Sequence, residues 1–155
     1  MFYLGHSTLH RPYFYKRIHK FHHEHKQTTS IACIHAHPFE YFIANILPVL
    51  SGSLILGQRA HGSTQYGFAI IRMINSFDEH CGYKFPWSMQ RILPFHLNQE
   101  EHFYHHTENV GSYGSFFEIW DYVFGSNTSF FQKSNKVKNI TTKQEKTDWW
   151  QRYIN

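Results

Sequence analysis

Four of the seven residues from 19 to 25, HKFHHEH, are histidine. A neutral imidazole offers one nitrogen lone pair, and histidine is the commonest protein ligand for transition metals. Three groups recur along the chain: His6 and His10 in HSTLH, His19, His22 and His23 in HKFHH, and His102, His105 and His106 in HFYHH. Their offsets are i,i+4 once and i,i+3,i+4 twice, which on an α-helix place the rings on one face a turn apart. Eight imidazoles exceed the four ligands of a tetrahedral zinc and suit two metal ions close together. Imidazole accepts zinc, copper, iron and nickel, so ligand type alone does not choose the metal. Two single histidines stand in marked settings, His37 in HAHPFE and His80 in DEHCGY. No rival chemistry is written as strongly. The chain has no G-x-S-x-G elbow, no phosphate-cradling glycine loop and no H-E-x-x-H. Cys81 beside His80 is a poor nucleophile pair, because sequence neighbours do not face each other on a helix.

These rings need elements to carry them, and the pattern predicts an all-α, membrane-associated helical domain. The chain's 155 residues suit one domain. Residues 1–26 read as helical with a break at Pro12. Residues 38–57, PFEYFIANILPVLSGSLILG, carry one charge, Glu40, and approach the length of a bilayer crossing. Residues 64–77 run apolar again around Arg72. The two segments read either as a helical hairpin dipping into or through a bilayer or as two buried core helices. Residues 78–100 read as loop, with Gly82, Pro86 and Pro94 as breakers. The aromatic stretch 115–126 reads as an amphipathic helix stopped at Gly125. From residue 132 the chain turns polar and lysine-rich. The expected division is therefore a domain over 1–131 and a polar tail over 132–155, with Trp149 and Trp150 near its end.

Aromatics make up 19% of the residues, which suits an apolar or membrane-edge setting. The net charge of +4 is spread along the chain, which argues against nucleic acid as a partner and fits solubility or an anionic membrane surface. Two cysteines, Cys33 and Cys81, form no disulfide framework, so a reducing compartment fits.

Taken with YKRIHKFHHEH, AHPFE, DEHCGYKFPWSMQRILPF and HFYHHTENVGSYGSFFEIWDYVFGS, the three boxes resemble those of the fatty acid hydroxylase and sterol desaturase superfamily over about residues 6–126. The final stretch is most similar to the C-4 methylsterol monooxygenases. The resemblance implies a membrane-bound oxygenase with two iron ions, zinc being the substitute metal. It implies His6, His10, His19, His22, His23, His37, His80, His102, His105 and His106 as ligands. His25, His35, His61 and His96 match no box position; His25 and His35, close to the site, read as ordinary polar residues before groups that support the ligands. It further implies oxygen-dependent hydroxylation of a sterol or other lipid C–H bond, most like 4-methylsterol oxidation. Electrons would come from a cytochrome b5-type donor, and the histidine face would be cytosolic at the endoplasmic reticulum or another organelle membrane. Asp78 and Glu79 are either carboxylates that orient His80 or a solvated pair, and Glu40 and Asp121 stand similarly open. Two departures matter. Ser7 stands where the family has arginine after the first box. The family also places membrane helices before that box, so the resemblance implies that this chain is a fragment or a truncated gene product, or that those helices come from elsewhere. The competing expectations are a non-catalytic histidine-rich membrane subunit of a larger complex and a soluble zinc-binding scaffold.

Overall fold

The computed structural model describes residues 2–92 and 99–141; Pro94, His96, Trp149 and Trp150 lie outside the described residues. Among the described residues every regular element is helical. Helices α1 (Phe2–Leu9) and α2 (Pro12–Arg17) are separated as expected. Pro12 sits at the start of α2, and Arg11 before it is extended at φ −64°, ψ 141°. A residue preceding proline is pushed out of the helical region, so α1 cannot continue through it.

Residues 19–24 are not α-helical. Ile18 breaks from helical geometry at φ −127°, and His19–Glu24 forms a 3-10 helix. A second 3-10 segment, Ser30–Ile34, packs against the later helix Gly62–His80. His37, again extended before a proline, begins one continuous helix over Pro38–Leu56. It comprises α3 (Pro38–Glu40), a π-helical stretch over Tyr41–Ile46, and α4 (Leu47–Leu56). Pro48 explains the change of register: it has no N–H for the carbonyl four residues earlier, and a widened turn relieves the mismatch. Gly57, at φ +52°, ends the helix.

Helix α5 (Gly62–His80) is longer than the sequence pattern suggested. Residues 78–80, read as the start of a loop, form its last turn, because the chain does not turn away until Gly82 at φ +75°. The short α6 (Met89–Ile92) and then α7 (Gln99–Glu108) follow. Helix α8 (Ile119–Phe124) stops at Gly125 in the left-handed conformation, as expected. Helix α9 (Thr128–Thr141) runs across residue 132, so the start of the polar segment is helical.

The interior is polar. The largest side chains buried to under 2% exposure are His19, His105, His106, Glu79, Asn75, Asp121 and Ser112. The apolar residues point outward: Phe42, Leu50, Leu54 and Ile55 on the Pro38–Leu56 helix, Tyr66, Ile70 and Ile74 on α5, Trp120 and Phe124 on α8. Only 11% of the apolar window in Pro38–Leu56 is buried, so this helix is not a core helix among the described residues. That helix alone, among the described residues, is long and apolar enough to cross a membrane. Outward apolar faces of this extent mark contact with lipid or with another chain.

Candidate metal centre

Nine of the ten expected histidines meet at the centre of the fold. His6 comes from α1, His10 from the turn after it, and His19, His22 and His23 from the first 3-10 helix. His80 is the last residue of α5, and His102, His105 and His106 lie on α7. They form two groups: His6, His10, His19, His23 and His105, and then His22, His80, His102 and His106. Within each group the nitrogens lie within 4.8 Å of one another. The groups adjoin, with the rings of His23 and His106 4.6 Å apart. The second and third boxes are each divided between the two groups. In the second, the 3-10 geometry stacks His22 beside His19, at 5.5 Å, while His23 turns back to within 3.0 Å of the His19 Nε2.

His37 is not in either group. It is exposed, and its Nδ1 accepts the N–H of Phe39 at 3.2 Å as the cap of α3.

The ring orientations are set by backbone. The Nδ1 of His6 lies 2.9 Å from the Tyr113 carbonyl, that of His22 3.1 Å from His35, that of His80 2.8 Å from Ser76, and that of His105 2.5 Å from Gly111. A carbonyl only accepts, so each of these Nδ1 atoms carries the proton and each Nε2 presents a bare lone pair. The Nε2 atoms of His6 and His105 nevertheless lie 3.1 Å apart, and that of His6 is also 3.1 Å from His19. Two lone pairs facing each other at this distance repel, and a cation between them removes the conflict. Two imidazole nitrogens on one metal at about 2.1 Å lie roughly 3.0–3.4 Å apart. The contacts of 2.8–3.1 Å found in both groups are close to that edge. His106, wholly buried, leaves both ring nitrogens without a partner. The site therefore fits a pair of nitrogen-ligated transition-metal ions.

Burial holds these rings neutral. It lowers His22 to about 4, His10 and His80 to about 3 and His23 to about 2, with neighbouring imidazoles adding to the effect. His6, His102, His105 and His106 are driven well below the ordinary value for the same reason.

Carboxylates hold the frame. Glu40 Oε1 lies 2.5 Å from His19 Nδ1, which ties the apolar helix to the first group. Asp121 accepts the N–H of Tyr113 at 2.7 Å and of Gly114 at 2.6 Å, fixing the loop whose carbonyl holds His6. Asp78 and Glu79 do not touch the His80 ring. Asp78 accepts from Ser88 and from Gln99, joining α5 to the start of α7, and Glu79 accepts from Asn75 and Ser115. Sequence reasoning missed Tyr113, Gly111 and Ser76 as supports because they act through carbonyls, which carry no side-chain signature; His35, open between a support and an ordinary polar residue, supports His22 through its carbonyl.

Fold and site together define a class: an all-helical domain with an apolar exterior, built around paired imidazole pockets suited to two metals. The chain belongs to the fatty acid hydroxylase family, whose model matches residues 1–126. It is 31% identical over 147 residues to methylsterol monooxygenase 2-2 of Arabidopsis thaliana, covering 93% of this chain and 54% of that protein. It is 36% identical over 129 residues to methylsterol monooxygenase erg25B of Aspergillus fumigatus, covering 78% of this chain and 42% of the other. Very-long-chain aldehyde decarbonylase GL1-11 of Oryza sativa subsp. japonica is 31% identical over 133 residues, covering 84% of this chain and 49% of the other. The chain thus spans about half the length of these relatives. No solved structure matches it.

Proposed function

We propose that this chain is the metal-binding part of a membrane di-iron oxygenase that hydroxylates a C–H bond of a lipid, most like a 4-methylsterol. The observation that carries the reading is the meeting of Nε2 lone pairs whose tautomers are set by backbone carbonyls. His6, His10, His19, His23 and His105 would hold one iron and His22, His80, His102 and His106 the other. Five nitrogens in the first group exceed a tetrahedral zinc. Zinc in the same pockets would support the fold without redox chemistry. Bound there, two irons supply the oxygen-dependent oxidation of an unactivated C–H bond. The protein's own part is to hold the Nδ1 protons at Tyr113, His35, Ser76 and Gly111, so that each Nε2 stays a donor, and to exclude water. His105 and His106, with no exposed surface, do the second directly. Electrons come from a cytochrome b5-type donor, and the histidine face lies on the cytosolic side of the endoplasmic reticulum membrane. The sterol preference draws on relatives named methylsterol monooxygenases, and the decarbonylase relative marks how wide the family's chemistry is.

Elemental analysis of the purified chain tests the ligand set. Two irons per chain are expected, and His22→Ala and His105→Ala are each expected to lose metal. Full occupancy in either variant would overturn the assignment. Turnover is tested by product analysis with and without oxygen on a 4-methylsterol, a sterol lacking that methyl, and a free fatty acid. Iron bound with no oxygen-dependent product from any of them would favour the non-catalytic membrane subunit.

A further inference from the structure

Three cavities meet at one residue of the apolar helix. A cleft of about 260 Å³ opens between the Pro38–Leu56 helix and α5, walled by Ile46, Leu50, Met73 and Phe77. A second, of about 240 Å³, opens on the other side, walled by Pro48, Phe68, Phe117 and Trp120. A small cavity of about 30 Å³ between them is bounded by His6, His19, His22, His80 and His102. Asn45 lines all three, and Arg72 and Val49 line both clefts. Together the clefts approach the few hundred Å³ of small-molecule sites, and their walls are mainly apolar.

The two polar residues at this junction have unused hydrogen-bonding capacity. Asn45 lies in the π-helical stretch of an otherwise apolar helix, and its amide bonds to no described residue. Polar groups on a lipid-facing helix are costly and mark functional positions by default. Arg72 points inward: its Nη2 donates to Ser115 Oγ at 3.1 Å, and its guanidinium lies 5.4 Å from the Phe116 ring centre. Its Nη1 is buried without a partner. Ser115 in turn donates to Glu79 at 3.0 Å, so the guanidinium faces a carboxylate across one hydroxyl. A second anion at this point would meet that carboxylate, whereas a neutral oxygen would accept from Arg72 and exchange hydrogen bonds with Asn45.

We propose that Asn45 and Arg72 form the recognition point for a neutral oxygen-bearing lipid, an alcohol or carbonyl compound, whose apolar body lies in the two flanking clefts. This rests on the proposed oxygenase reading for its purpose, and the small cavity beside Asn45 is the way from that point to the imidazole groups. The site selects against hydrocarbons, which leave both polar groups unpaired, and against carboxylates, which face Glu79.

The test is binding, not turnover. The full chain in detergent micelles is titrated with dehydroergosterol, read by energy transfer from tryptophan, and the probe is displaced by cholesterol, cholestane or palmitate at matched mole fractions. Cholesterol should displace it at about one tenth of the cholestane concentration, the effect of losing a hydrogen bond. Palmitate should compete no better than cholestane. Asn45→Leu, which breaks no bond to a described residue, should erase the cholesterol preference. Val49→Trp, which fills the wall common to both clefts, should weaken every ligand. Equal displacement by cholesterol and cholestane, survival of the preference in Asn45→Leu, or tightest displacement by palmitate would overturn the proposal. Iron is measured on the same samples. A cholesterol preference in a protein that binds no iron supports this site and sinks the oxygenase reading, so the two failures are distinguishable.

Discussion

Acid should unfold the metal-free protein in a narrow and unusually high pH window. Nine imidazoles are gathered in the interior, and burial holds them below their ordinary protonation range. In the unfolded chain each regains a pKa of about 6.5. The unfolded state therefore binds more protons than the fold as pH drops, and stability present above about pH 6.5 is lost below it. Between pH 7.5 and 5.5 each imidazole costs the fold about 1.4 kcal/mol. Buried carboxyls act in the opposite sense. Burial with Glu118 beside it pushes Glu101 up to about 9, and burial also raises Glu79, Glu118 and Asp121. Glu101, which keeps its proton in the fold and has lost it in the unfolded chain across this range, offsets at least one imidazole. Setting it against nine imidazoles leaves at most eight, or up to about 11 kcal/mol lost over two pH units. Domains are stable by only about 5–15 kcal/mol, so the metal-free fold should fail between about pH 6.5 and 5.5. Bound metal stabilises the native state and must itself be displaced by protons, so the loaded protein should persist to lower pH. Near-ultraviolet circular dichroism in detergent, recorded against pH with and without metal, reads both curves. A metal-free protein that keeps its native signal to pH 4.5, or two curves that coincide, would refute the reasoning.

Gly111→Ala should damage the site from outside it. Gly111 has φ +68°, and an added Cβ would lie 2.2 Å from the Ser126 carbonyl oxygen, so the loop must move. Strain of about 2–4 kcal/mol is expected as a lower melting temperature. Because the Gly111 carbonyl holds His105, metal affinity should also fall by about 10–100-fold, read by competition with a chelator, and an unchanged affinity would show that this carbonyl does not position the ring. Membranes carrying the protein should retain it through an alkaline carbonate wash, because the Pro38–Leu56 helix exposes its apolar side chains; release into the supernatant would count against integration.

What the sequence made legible was which side chains gather, and what it hid was the route. The helix breaks at Pro12 and Gly125 and the apolar run after Pro38 follow from local rules that tertiary contacts do not override. The nine converging histidines were identifiable because their residue type is scarce and their spacing repeats. His37 lies in none of the three boxes and entered the expected set through the likeness of AHPFE to the family. The proline after it decides its place: the extended backbone before Pro38 makes His37 a helix cap, turned to solvent.

The second box shows why correct spacing did not give correct geometry. Offsets of three and four residues suggest three rings on one helix face, toward one target, yet on α7 the same offsets send His105 to one group and His102 and His106 to the other. In the 3-10 turn over His19–Glu24, residues three apart align and the fourth is rotated away. His22, though stacked on His19, reaches His80 and His106, while His19 and His23 stay with His6 and His10. One short segment thus serves both pockets, as the regular helix α7 does with the same spacing. The cause lies outside the box. Ile18 breaks the preceding helix, and the His35 carbonyl and Glu40 carboxylate, 13 and 21 residues further on, hold His22 and His19 in place. Contacts at that range leave no trace in a seven-residue window, and they convert a row of imidazoles into two adjoining nitrogen-lined pockets.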